Sequence, residues 1–161
     1  EMNRPKEFTI GSTLEEMYRI EQFVDEISDE YLLYGSYFGN ILMALTEAVR
    51  NSVVHGNGND PRKRVYIRQE MVKAGLMLTV SDEGQGFDFK TALESAANLK
   101  APETSGNGLF LMQKLSDEIN FRNDGRTVEM LFRINGIDES IFNRRAECMN
   151  DFFKVYQKVN S

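Results

Sequence analysis

The sequence is poor in the residues that build covalent and metal-centred sites. Its 161 residues include one cysteine, one histidine, three prolines and no tryptophan. Cys148 alone cannot make an intramolecular disulfide framework, and it excludes every multi-cysteine zinc module. His55 alone removes most histidine-based metal sites and makes any serine-type triad depend on that one residue. No apolar run approaches the roughly 18 residues of a membrane span, and no signal-peptide pattern opens the chain. A cytoplasmic protein without membrane contact is therefore expected. Positive charge is also scarce: 19 Lys and Arg stand against 25 Asp and Glu, for a net charge of −6. Direct nucleic-acid binding needs a basic footprint that this composition lacks. What is present is ordinary globular material, 41% hydrophobic and 27% charged, in a chain long enough to bury its own core.

The pattern of apolar residues predicts the elements. Phe8-Thr9-Ile10 reads as a short strand. Ser12-Thr13-Leu14-Glu15-Glu16 reads as a capping box that opens a first helix, with Leu14, Met17, Ile20, Phe23, Val24 and Ile27 on its buried stripe. A second helix is predicted from about Ser36 to His55, its stripe formed by Ile41, Leu45, Ala48, Val49, Ser52 and Val53. A glycine-rich loop follows, and then two alternating strands around Val65–Gln69 and Leu76–Val80, joined at Ala74-Gly75. Phe87 to Thr104 has some helical character around Thr91–Leu99 but weak periodicity, and reads as a mobile cover. A helix from Leu109 to about Ser116, strands near Ile119–Asn123 and Thr127–Ile134 flanking Asp124-Gly125, and a last helix from about Asp138 complete the chain. The expected architecture is an α+β, two-layer sandwich with a mostly antiparallel sheet and an extra C-terminal helix. Residues 1–136 are expected to form the main domain. Residues 137–161 are expected to form an amphipathic helix, packed on that domain or at a dimer or partner interface.

Three segments carry candidate chemistry. On the second helix, at about 100° per residue, Glu47 and Asn51 fall one turn apart on a side away from the apolar stripe, with His55 a further turn along. A carboxylate and an amide oxygen are hard ligands that suit magnesium, and a carboxylate beside a nucleotide can serve as general base. Ordinary solvated polar residues would look the same. Asp82-Glu83-Gly84-Gln85-Gly86 ends a strand, and its glycines let a ligand approach the backbone closely; a tight turn uses the same residues. Ser105-Gly106-Asn107-Gly108-Leu109 leads into a helix N-terminus, whose free N–H groups and dipole suit phosphate. It is neither a P-loop nor a Rossmann fingerprint.

Taken in order and spacing, these segments resemble the GHKL ATP-binding superfamily, which includes gyrase-type ATPases, histidine-kinase catalytic domains and small anti-sigma-factor serine kinases. Glu47 through Asn57 resembles its N-box, Asp82 through Asp88 its first glycine box, and Ser105 through Met112 its second. Asp117-Glu118-Ile119 and Gly125-Arg126-Thr127-Val128 resemble its closing strand pair. The resemblance spans about Phe8 to Asn135, is nearest to the stand-alone anti-sigma-factor serine/threonine kinases, and leaves out the C-terminal helix.

The resemblance implies roles by position. Asn51 would ligate Mg²⁺, and Glu47 would orient or deprotonate the attacking hydroxyl. Asp82 would accept from the adenine amine, so the preference for ATP over GTP would rest on it alone. Gly84 and Gly86 would seat the adenine end. Gly106, Asn107, Gly108 and Leu109 would wrap the phosphates, and Thr127 would lie behind the adenine. His55 is read as a packed, hydrogen-bonded structural histidine. The implied protein is an ATP-dependent, Mg²⁺-using protein kinase and homodimer that holds a sigma factor inactive and phosphorylates a STAS-type anti-anti-sigma partner. A non-catalytic, nucleotide-dependent switch of the same fold is the alternative. It draws weight from Thr104, which stands where some members carry a basic residue. Two further departures are Arg126, where a second glycine is frequent, and Ser52, which replaces the usual alanine.

Overall fold

The computed structural model describes residues 4–33, 35–98, 107–134 and 139–160. Five strands form one sheet: β1 (Lys6–Gly11), β2 (Arg64–Val72), β3 (Gly75–Ser81), β4 (Glu118–Arg122) and β5 (Thr127–Phe132). Their spatial order is β1-β2-β3-β5-β4, and every neighbouring pair is antiparallel. Strict alternation sets the faces. Val65, Ile67, Leu76, Leu78, Val80, Val128 and Met130 are buried on the inner face, while Tyr66 and Arg68 are exposed on the outer one. Gln69 follows the inward parity and is fully buried, donating from its amide to the Tyr31 hydroxyl at 3.3 Å. The α+β sandwich expected from the sequence is the fold observed.

Helices α1 (Tyr18–Tyr31), α2 (Ser36–Asn51), α3 (Phe89–Ala97), α4 (Asn107–Leu115) and α5 (Glu139–Asn160) supply the second layer. Ile20, Phe23, Val24 and Ile27 of α1, and Ile41, Leu45, Ala48 and Val49 of α2, are buried as their spacing predicts, whereas Leu14, expected on the first stripe, precedes α1 and is exposed. Two starts and stops differ from expectation. The capping box does not form. A single 3₁₀ turn, Leu14–Met17, precedes α1, the Thr13 side chain makes no capping bond, and the Glu16 carboxylate instead accepts from the Gly11 amide at 2.8 Å. The α2 hydrogen-bond ladder does not run unbroken to His55 either. It passes at Ser52–Gly56 into a π-turn, a local widening often found at functional sites. Within the stretch read as a cover, helix α3 falls where helical character is expected, capped by Asp88 accepting from the Thr91 amide at 3.2 Å. Residues 99–104 lie outside the described residues.

Helix α5 lies against α2 and α4. Gly39 lets it approach, since a Cβ there would sit 2.9 Å from the Met149 Cε. The polar anchor is a buried ion pair in which Arg145 donates to Asp117 Oδ1 at 2.7 Å. The other Asp117 oxygen accepts from the Arg133 amide at 2.7 Å. Removing one member of a buried pair leaves the other desolvated and unpaired. Arg145→Ala should therefore cost about 3 kcal/mol in urea unfolding, and adding Asp117→Asn should recover part of that loss. An Arg145→Ala chain with unchanged stability would show that α5 is not anchored through this pair.

Candidate functional site

A cleft of about 290 Å³ opens between the helical layer and the inner sheet face at the ends of β3 and β5. Its floor is apolar, with Val80, Val128, Met112 and Phe121. Its polar wall gathers parts of all three candidate segments: Asn51, Ser52 and Gly56 from the first, Asp82 and Gly86 from the second, Gly108 and Leu109 from the third.

One end belongs to α2 and the start of α4. Glu47 and Asn51 are half-buried rather than facing open solvent, and they look onto Gly108. A Cβ on Gly108 would lie 3.1 Å from both Glu47 Oε2 and Asn51 Nδ2, tight enough that one of the two side chains would have to give by a few tenths of an ångström. Burial raises the Glu47 carboxyl above the usual carboxylate range, and the Arg50 charge opposes this. Asn107 is the first residue of α4. Gly106 and Thr104 lie outside the described residues.

The other end is built around Asp82, just past β3. Its Oδ1 accepts from the Gly84 amide at 2.8 Å. Burial raises its carboxyl, opposed by the Gly84 amide, the Ser52 hydroxyl and the Arg126 charge. Glycines make this packing possible. A Cβ on Gly56 would fall 2.4 Å from the Asp82 carboxylate, and one on Gly84 would fall 2.1 Å from the Gly56 carbonyl oxygen. Gly86 adopts φ +82°, and a Cβ there would meet the Asp124 carbonyl oxygen at 2.1 Å.

Two sequence expectations are corrected here. Thr127 does not face the cleft. It pairs with Ser81 across β3 and β5, so its side chain has the parity of the outer face, where its hydroxyl meets the Ser81 hydroxyl at 3.0 Å and accepts from the Asn123 amide at 3.0 Å. Alternation gives the cleft wall to its neighbours Arg126 and Val128 instead. His55 is not packed. It is exposed on the cleft rim and makes no side-chain hydrogen bond among the described residues, on the side away from the apolar stripe that the helical spacing gives it.

Asn57, quoted in the first motif with no role attached, holds the Asp82 end in place. Buried, it donates from Nδ2 to the Ser12 hydroxyl at 2.8 Å and to the Arg64 carbonyl at 3.0 Å, while its Oδ1 accepts from the Glu83 amide at 2.8 Å. The only signal in the sequence was its place after the His55-Gly56 pair.

Among the described residues, no cluster of three or more His, Cys, Asp or Glu side chains could hold a metal ion. A metal here would need oxygen from Asn51 together with a ligand's own oxygens and water, the pattern magnesium accepts beside phosphates.

Known proteins resemble this chain in sequence and fold. Residues 10–132 match the family model described as "Histidine kinase-like ATPase domain". Over 96 residues the chain is 33% identical to an anti-sigma F factor of Anoxybacillus flavithermus, covering 56% of this chain and 66% of that protein. Over 104 residues it is 33% identical to the serine-protein kinase RsbW of Bacillus subtilis, covering 60% of this chain and 65% of that protein. The matches thus span just under two thirds of these relatives' lengths. Among solved structures, the RsbU and RsbW domains of Rv1364c from Mycobacterium tuberculosis superpose with a TM-score of 0.59 at 20% identity, covering 81% of this chain and 32% of that one. At that identity the likeness is one of fold.

Proposed function

The chain belongs to the histidine kinase-like ATPase domain family, and from that premise we propose that it is an anti-sigma-type protein kinase: it binds ATP with Mg²⁺ in the cleft, phosphorylates a serine or threonine of a STAS-type anti-anti-sigma partner, and holds a sigma factor inactive. The observation that carries this reading is that one apolar-floored cleft is lined by Asn51 and Gly108 at one end, with the Glu47 carboxylate beside Gly108, and by Asp82 and Gly86 at the other. The names of its relatives, anti-sigma F factor and serine-protein kinase, support the partner classes. No described helix is long and apolar enough to cross a membrane, which agrees with a cytoplasmic setting.

Each end of the cleft has a task under this reading. Asp82, an acceptor at the strand end, takes a hydrogen bond from the base, with Gly84 and Gly86 leaving room for it. The first turn of α4, with Gly106 to Leu109, receives the phosphates on backbone N–H groups. The hard amide oxygen of Asn51 and the glycine-bounded space beside it fit magnesium, which when bound supplies charge neutralisation to the phosphate oxygens. Glu47, its proton affinity raised by burial, accepts the proton of the attacking hydroxyl. The hydroxyl oxygen bonds to the γ-phosphorus, the bond from phosphorus to the β,γ-bridging oxygen breaks, and ADP leaves with that electron pair. Homodimerisation is part of the proposal, as is the division into a nucleotide-binding unit, residues 1–136, and the α5 segment, residues 137–161. Phe153 and Tyr156 are exposed on α5, each in ring contact with Phe152.

The test is to mix the chain with Mg²⁺-ATP and a STAS-type partner and follow phosphate on the partner's serine or threonine by mass spectrometry. Thermal unfolding of the chain with and without nucleotide is measured alongside. Nucleotide at about 100 times its Kd should stabilise by roughly 2.7 kcal/mol, on the order of 5–10 °C for a domain of this size. Stabilisation with phosphate transfer supports the kinase. Stabilisation without transfer supports the nucleotide-dependent switch, which Thr104 in place of a basic residue favours. No stabilisation by any nucleotide overturns both.

A further inference from the structure

Helix α2 carries a cation to the Glu47 end of the cleft, and nothing in the reading above uses it. Arg50 follows Glu47 by three residues and directly precedes Asn51. Residues three or four apart on a helix are neighbours, with Cβ atoms about 5–6 Å apart. Glu47 is therefore flanked one turn on by both Arg50 and Asn51. The Arg50 charge bears on the Glu47 carboxyl, pulling against the rise that burial causes. Yet the two do not close into an ion pair. Arg50 is exposed, and among the described residues its side chain makes no ion pair and no hydrogen bond. Arginines of the sheet, such as Arg68, Arg122 and Arg133, are each held by a carboxylate.

We propose that Arg50 reaches past Glu47 to the terminal phosphate of a bound nucleoside triphosphate, holds it there, and neutralises its charge during transfer. The proposal rests on the kinase reading of the cleft. Under that reading the hydroxyl served by Glu47 attacks the terminal phosphorus, so the terminal phosphate lies beside the Glu47 carboxylate. Two anionic groups side by side repel, and a cation next to both relieves the repulsion. The elements that meet here are α2, the π-turn and α4. Their charged side chains are Glu47, Arg50 and, in the last turn of α4, Lys114. The first turn of α4 contributes Asn107, Gly108 and Leu109, none of them charged. Of these elements' two cations, Arg50 is the one a single helical turn from Glu47. Its guanidinium is a planar fork of donors that matches phosphate oxygens, and it stays charged at every working pH.

The experiment is calorimetric titration of Mg²⁺-ATP and Mg²⁺-ADP into the full chain, Arg50→Ala and Arg50→Lys, with single-turnover transfer to a STAS-type partner followed alongside. ADP lacks the terminal phosphate, so contacts to the base, the ribose and the inner phosphates cancel in the ratio of the two affinities. In Arg50→Ala, ATP should weaken by about tenfold or more and ADP by about twofold or less, since a charge-assisted contact is lost from the triphosphate alone. Transfer should slow by about 100-fold or more. Arg50→Lys keeps the charge and should recover part of both losses. Thermal unfolding of the nucleotide-free variants should match the parent, because Arg50 is exposed and without a partner. An ATP-to-ADP affinity ratio that Arg50→Ala leaves unchanged overturns the proposal and leaves the kinase reading standing. An unaltered chain that binds neither nucleotide overturns that reading and the proposal together.

Discussion

Glu47→Gln should slow phosphoryl transfer to the partner by about 10²- to 10⁴-fold, the range a positioned general base contributes, while ATP affinity stays within a few-fold. Glutamine keeps the shape that packs beside Gly108 and loses only the ability to take a proton. Burial raises the Glu47 carboxyl, so the unaltered enzyme should gain activity as pH rises through that raised value and the carboxylate forms. The variant should lack that limb. Single-turnover transfer across pH, with binding measured separately, separates chemistry from affinity. A Gln variant that transfers at the unaltered rate would remove Glu47 from the proton's path.

Asp82→Asn should weaken ATP binding by roughly 100-fold or more and leave the nucleotide-free protein at least as stable at pH 7. The amide places a donor where the base amine also donates, so one hydrogen bond becomes a clash of like partners. The stability sign follows from linkage. Burial raises the folded-state affinity of Asp82 for its proton, so its contribution to stability is present in full below about pH 3.9, the ordinary aspartate value, and is lost as pH rises through the raised folded value. At neutral pH the charged side chain is therefore a cost that asparagine relieves. Thermal unfolding at pH 7 and pH 4 should show the variant's advantage shrinking at the lower pH. A variant less stable than the parent at pH 7, yet still stabilised by ATP, would contradict both halves of the expectation. Residues that hold a ligand at the expense of the empty protein are common at binding sites.

Much of this fold could be read from spacing alone, since Val65-Ile67-Gln69 and the α2 stripe need only periodicity to choose their faces. Even Gln69, a polar residue in an inward register, obeyed parity over polarity. The cleft was legible to the extent that its parts lie on elements whose orientation periodicity fixes, as Asn51 does on α2. The role given to Thr127 rests on the family resemblance, although alternation with the buried Val128 and Met130 gives it the other face. The strand follows the turn at Asn123–Gly125, where Asn123, Asp124 and Gly125 all take positive φ. Two non-glycine residues in that conformation leave no signature as plain as a glycine pair. The same turn places Arg126 in the cleft. The reading of His55 as packed rests on its place in the family motif, whereas the α2 period itself puts it a turn beyond Asn51 on the side away from the core, where it is exposed. Asn57 was hidden because the groups it ties, Ser12, Arg64 and Glu83, meet only in three dimensions.

That last tie has a consequence for the order of assembly. Asn57 joins partners 45 and 26 residues away along the chain, so no short fragment can hold the Asp82 turn in its binding shape. Closing such loops costs entropy before any contact repays it, and contacts of this span form late. The Asp82 end of the cleft therefore takes its shape only once the segment after β1 and the start of β2 have come together on Asn57.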